Sequence, residues 1–137
     1  MSVRDIPNAL RQEVIARAGK RCEYCFMPDL LSFYPPEIDH VVARKHGGQT
    51  TLENLARICW RCNRHKGTDL TSLDPLTGEL TRLFNPRIDH WSDHFALQEN
   101  QLISDTAIGR TTISLLRLNT SERLAERSLA ATSGQYP

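Results

Sequence analysis

Between Pro7 and Gly19 the apolar residues Leu10, Val14, Ile15 and Ala18 recur at helical spacing, with a proline at the start and a glycine at the stop. The pattern predicts an amphipathic helix over PNALRQEVIARAG. The next stretch, FMPDLLSFYPPE, holds Pro28, Pro35 and Pro36. These residues fix φ and remove backbone donors, so it reads as a loop or an irregular strand. In EIDHVVA the period changes to two and β-branched residues dominate, which predicts a strand. RKHGG is a turn, TLENLARIC ends in a second short strand, and WRCNRHKGTDL begins a helix that Gly67 closes.

The centre of the chain therefore reads strand, loop, strand, helix. Farther on, DPLTGEL is a turn-rich connection, TRLFNP a candidate strand and DHWSDHF a helical turn or two. Residues 106–118 and 120–131 read as two helices separated near Asn119, although Thr111, Thr112 and Ile113 also suit a strand. The last residues, SGQYP, are expected to fray. The class is α+β, in one domain over 1–137, with residues 71–137 a C-terminal helical extension packed on the core.

Length and composition agree with one domain, because 137 residues at 39% hydrophobic supply a modest core. The opening MSVRDIPNAL has no apolar run and no stretch approaches a membrane span, so a cytoplasmic protein without membrane contact is expected. Net charge is only +1, but it is unevenly spread: residues 40–66 carry six Lys or Arg against Glu53 alone. Arg44, Lys45, Arg57, Arg61, Arg64 and Lys66, with His65 among them, are candidate contacts to a nucleic-acid backbone.

All four cysteines fall in two C-x-x-C pairs, Cys22/Cys25 and Cys59/Cys62. Two such pairs converge naturally on one tetrahedral zinc, and four thiolates close its shell, which marks a structural site. Disulfides fit poorly in a chain with no mark of export. A redox C-x-x-C wants one reactive pair ahead of a helix in a βαβ unit, and that pattern is missing. The long spacer between the pairs holds the two strands, so the zinc staples a ββα unit at both ends.

The motifs C-E-Y-C, I-D-H-V-V, H-G-G, L-E-N-L and C-W-R-C-N-R-H-K-G, in that order over residues 15–70, resemble the HNH endonuclease family in its four-cysteine zinc subset. The resemblance implies a ββα-metal core and a nuclease acting on DNA. Residue chemistry points the same way. His40 is a base that is free at neutral pH, and the Asp39 carboxylate is a hard ligand for Mg2+ or Mn2+. By the resemblance His40 is the general base, Asp39 a ligand of the catalytic metal, and Asn54 orients the loop and the base. The last motif position, a second metal ligand, is histidine in the name-giving pattern and Asn63 here, which makes the chain an H-N-N variant. Asparagine offers a carbonyl oxygen, suited to a magnesium-like ion. Lys66, three residues on, shares the Asn63 side of the helix and is expected to reach a phosphate.

His90 and His94 are spaced as in the H-E-x-x-H zinc peptidases, but Trp91 stands where the glutamate is needed. Trp91 and Phe95 are expected to dock this segment on the core. The leading expectation is a metal-dependent DNA endonuclease, alone, as a homodimer or within a larger phage or restriction assembly. The alternative is a zinc-stabilised module that binds nucleic acid or protein and cuts nothing.

Overall fold

A computed structural model of the chain describes residues 6–137. Helix α1 spans Asn8–Ala18, and Gly19 ends it with φ 67°, donating its N–H back to Ala16. Only Val14 of the predicted face is fully buried; with Ile6, Ile38 and Leu55 it forms a small cluster against which Leu10 and Leu52 pack. Arg17 fixes α1 to the next layer by donating to the carbonyls of Leu52 (2.8 Å) and Leu55 (2.6 Å).

Strands β1 (Glu37–His40) and β2 (Leu55–Ile58) pair antiparallel, with Asp39 opposite Ala56 and His40 opposite Leu55. The expected strand EIDHVVA stops early. Val41 still donates to the Asn54 carbonyl at 2.8 Å, but the Val42 N–H turns to the Asn54 side chain, so side-chain bonding replaces the ladder there. Helix α2 (Trp60–Lys66) follows β2 directly. Cys59 caps it through its sulfur, which accepts from the Cys62 N–H, and Gly67 with φ 51° breaks it.

The region after residue 70 is less helical than its sequence predicts. Strands β3 (Thr71–Leu73) and β4 (Leu80–Arg82) form a hairpin, and so do β5 (Ala96–Gln98) and β6 (Gln101–Ile103). Glu99 and Asn100 both take positive φ at the second turn, the geometry a two-residue hairpin needs. Helix α3 (Trp91–His94) lies between the hairpins, and α4 (Ala107–Leu115) and α5 (Ser121–Thr132) complete the chain. Thr106 and Thr120 cap the last two helices by accepting backbone N–H bonds.

The main core joins both halves of the chain. Cys22, Cys25 and Cys62 are buried with Tyr24, Ile58, Phe84, Phe95, Leu102, Leu116 and Leu118. Trp91 stacks on Phe26 at 4.2 Å and donates from its indole to the Tyr24 carbonyl. The chain end does not fray: Tyr136 is 7% exposed and its hydroxyl donates to the Cys25 carbonyl at 2.7 Å. Among the described residues no helix is long and apolar enough to cross a membrane.

Candidate functional site

The first C-x-x-C turn lies between α1 and β1, and the second opens α2, so the β1–β2 hairpin brings the two pairs together. All four sulfurs lie within 4.8 Å of one another, and Cys25 Sγ is 3.8 Å from Cys59 Sγ. A tetrahedron with metal–sulfur bonds of about 2.3 Å has edges of about 3.8 Å. The donor set therefore fits zinc. Backbone N–H groups of Tyr24 and Cys25 point at Cys22 Sγ, and that of Cys62 at Cys59 Sγ.

Four thiolates on Zn2+ leave two negative charges inside the core, and a distant residue answers them. Arg123 of α5 is 4% exposed and donates to Cys62 Sγ at 3.3 and 3.5 Å, and more weakly to Cys59 Sγ. Burial works to lower its pKa, but attraction to the cysteines outweighs this and holds it above the ordinary arginine range. Nothing near Arg123 in sequence marks this role.

On the other side of α2, Asn63 and Lys66 lie one turn apart and face Glu37 and Asp39, two residues apart on one face of β1. The pairing is crosswise to expectation. Asn63 Nδ2 donates to Glu37 Oε1 at 2.7 Å, while Lys66 Nζ lies 3.0 Å from Asp39 Oδ2. Tyr24 donates its hydroxyl to the same Oδ2 at 3.1 Å. Burial raises the Asp39 pKa, against the charge and hydrogen bond of Lys66 and the bond from Tyr24. Asp39 Oδ1 accepts no hydrogen bond from a described side chain. Glu37, Asp39 and Asn63 thus offer the hard oxygen donors that a magnesium-like ion takes, although no second cluster of three Cys, His, Asp or Glu donors closes around one point among the described residues.

His40 ends β1 and is 8% exposed; its Nε2 lies 2.9 Å from Thr50 Oγ1, which also accepts from Arg44 at 3.2 Å. Burial lowers the His40 pKa, the nearby Arg44 and Lys66 charges add to this, and Asp39 opposes it. The balance favours the uncharged ring. Asn54 clamps the loop between the strands: its Oδ1 accepts the Val42 N–H, and its Nδ2 donates to the carbonyls of Val42 and Gln49. Gly48 lies against this clamp so closely that a Cβ there would stand 1.7 Å from the Val42 carbonyl oxygen.

Two of the cations expected at a nucleic acid are internal. Arg57 is buried on β2 and paired with Asp29 at 2.5 Å; Lys66, 2% exposed, is held by Asp39 and the Val41 carbonyl. Lys66 answers the buried Asp39 and Arg57 the half-buried Asp29, which is why neither reaches the surface. Arg61 is bridged to Glu122 and Glu126 of α5. Arg44, Lys45 and Arg64 are exposed, and His65 is half-buried. Of the later histidines, His90 is exposed and His94 bonds Thr106 through Nδ1 at 2.8 Å.

Sequence reasoning passed over Glu37, Tyr24, Thr50 and Arg123. Glu37 alone carried a signal, because position i−2 on a strand shares the face of Asp39.

Comparison with known proteins agrees with this geometry. Residues 22–69, about a third of the chain, match the family described as HNH endonuclease. A 58-residue segment is 41% identical to the CRISPR-associated endonuclease Cas9 of Corynebacterium diphtheriae, covering 42% of this chain and 5% of that protein. Over 118 residues the chain is 27% identical to the Septu protein PtuB of Bacillus thuringiensis, covering 84% of this chain and 43% of that protein. The chain thus spans less than half the length of either relative. No solved structure gives a significant match. The four-cysteine ββα unit over residues 22–69 is the part of the chain that matches the HNH endonuclease family.

Proposed function

We propose that the chain is a metal-dependent endonuclease that hydrolyses DNA phosphodiester bonds, with His40 as general base and a divalent ion, Mg2+ or Mn2+, held by Asp39 and Asn63 with Glu37 beside them. The observation that carries this reading is the His40 ring, held by Thr50 at the end of the strand that bears Asp39. With its proton on Nε2 the ring donates to Thr50 and keeps a lone pair on Nδ1, which takes the proton from the attacking water. Asn54, by holding both ends of the 42–49 loop, keeps Thr50 and His40 in register. A divalent ion, when bound, supplies charge to the scissile phosphate and the departing oxygen. Arg44, Lys45 and Arg64 are the exposed cations available to DNA phosphates.

Supercoiled plasmid with Mg2+ or Mn2+ tests the reading. Wild type is expected to nick it, and His40→Ala to slow nicking by about 10²- to 10⁴-fold with zinc content unchanged. Nicking that is absent with every divalent ion, or equally fast in His40→Ala, overturns the assignment.

A second reading, a zinc-stabilised binding module that cuts nothing, draws on one observation. Asp39 and Asn63 already have protein partners in Lys66, Tyr24 and Glu37. Titration with Mn2+ separates the two, since the module takes up none near Asp39.

A further inference from the structure

Lys66 is among the most deeply buried side chains of the protein, yet it carries the one charge that meets Asp39 among the described residues. Its ammonium donates to the Val41 carbonyl at 3.2 Å and pairs with Asp39 Oδ2 at 3.0 Å. It therefore stands on one oxygen of the carboxylate that the nuclease reading assigns to a metal ion. Lys66 also lines a cleft of about 180 Å3, shared with Val41, Asp69, Leu83 and Asn85. Asp69 is exposed there and offers another carboxylate.

We propose that Lys66 is a resident counter-cation of Asp39, displaced into this cleft when a divalent ion binds, so that it sets the ion concentration at which the site loads. The inference rests on the metal-dependent reading above, because it takes Asp39 as a metal ligand. Two cations on one buried carboxylate repel each other, and the repulsion is strong where water is scarce. Without the ammonium, Asp39 is a buried, uncompensated charge; the fold weakens while its attraction for a cation grows. Lys66 is in this sense a positioning residue, and it acts through Asp39.

The test uses the zinc-loaded full chain and Mn2+, followed by the free-ion signal in electron paramagnetic resonance. Lys66→Met is expected to bind Mn2+ about tenfold more tightly than wild type, to unfold at lower temperature without Mn2+, and to regain most of that loss when Mn2+ is saturating. Tyr24→Phe, which removes a neutral donor from the same oxygen, is expected to change Mn2+ affinity far less. A Lys66 that merely supports the fold loses stability equally with and without the ion and gains no affinity, which overturns the proposal.

If Lys66→Met does not fold, the wild type still decides. Reductive methylation of Lys66, read by peptide mass spectrometry, is expected to speed up severalfold when Mn2+ is added, and an unchanged rate overturns the proposal. Asp39→Asn separates the two levels. Mn2+ binding that is lost in Asp39→Asn but not tightened in Lys66→Met defeats the counter-cation alone; binding that is the same in wild type and Asp39→Asn defeats the metal assignment with it.

Discussion

Helix α2 carries two polar clusters within one turn of each other, and they are built in opposite ways. At its start, Cys59 and Cys62 join Cys22 and Cys25 in a cluster whose sulfurs already stand at zinc-like separations, with backbone N–H groups and Arg123 aimed at them. One turn later, Lys66 pairs with Asp39 as an ion pair, and Asn63 donates a neutral hydrogen bond to Glu37. The thiolate side is closed and oriented for one occupant. The carboxylate side meets one buried ammonium at Asp39 and a neutral amide at Glu37, so its charge is only partly offset.

The comparison breaks most visibly at the cysteines. A structural zinc of this kind contributes about 10–16 kcal/mol to folding, comparable to the whole stability of a small domain. Cys62→Ser is expected to lose zinc and cooperative unfolding together, as read by metal content and near-ultraviolet circular dichroism. His40→Ala should leave both intact. A folded, zinc-free Cys62→Ser protein contradicts the anchoring role.

Arg123→Met tests how far the anchor depends on the C-terminal half. It removes the guanidinium that offsets the thiolate charge and keeps much of the side-chain volume. The expected loss is about 3 kcal/mol, with faster zinc release to a chelator and nicking retained at low temperature. Unchanged zinc release makes α5 a bystander to the cluster. Gly48→Ala acts on the other set, since its Cβ would press on the Val42 carbonyl and lie 2.9 Å from Asn54 Nδ2. The expected destabilisation is about 2 kcal/mol, with nicking reduced beyond that loss because the Asn54 clamp shifts. Full activity in a stable Gly48→Ala protein separates the clamp from the base.

What could be read in advance follows the same divide. Cys22, Cys25, Asp39, His40, Asn54 and Cys59 through Asn63 sit in short motifs whose chemistry is local, and the strand–loop–strand–helix order came with them. Arg123 is 61 residues from the sulfur it touches, and Arg57 is 28 residues from Asp29; such pairs leave no periodic trace. Lys66 shares the Asn63 side of α2 as helical phase predicts, but it meets Asp39 and not a phosphate, because phase says which residues share a face and not whether that face is covered. Of the two later hairpins the sequence marks only TRLFNP, which overlaps β4, for a related reason. The strands are three residues long, and Leu73 and Leu80 are paired yet exposed, so no alternation marks the other three.

The smallest effect concerns acid, and it separates the thiolate cluster from the carboxylates of the C-terminal half. Asp74 follows β3 and accepts from Arg110 Nε and Nη2 (3.1 and 2.9 Å), Leu76 N–H and Thr77 Oγ1, tying the β3–β4 hairpin to α4. The Arg110 bonds come first in holding its pKa well below the carboxylate range, with Leu76 and Thr77 adding to them against burial. A carboxyl lowered on folding stabilises fully above its unfolded value, near 4, and loses that contribution only as pH falls toward the folded one. Asp74→Asn is therefore expected to cost the same stability at pH 7 and pH 5 in urea denaturation. Over that interval zinc-bound thiolates compete increasingly with protons, so both chains weaken together while the gap between them stays fixed. A gap that narrows between pH 7 and pH 5 means that Asp74 itself titrates there, and that Arg110 does not hold it ionised.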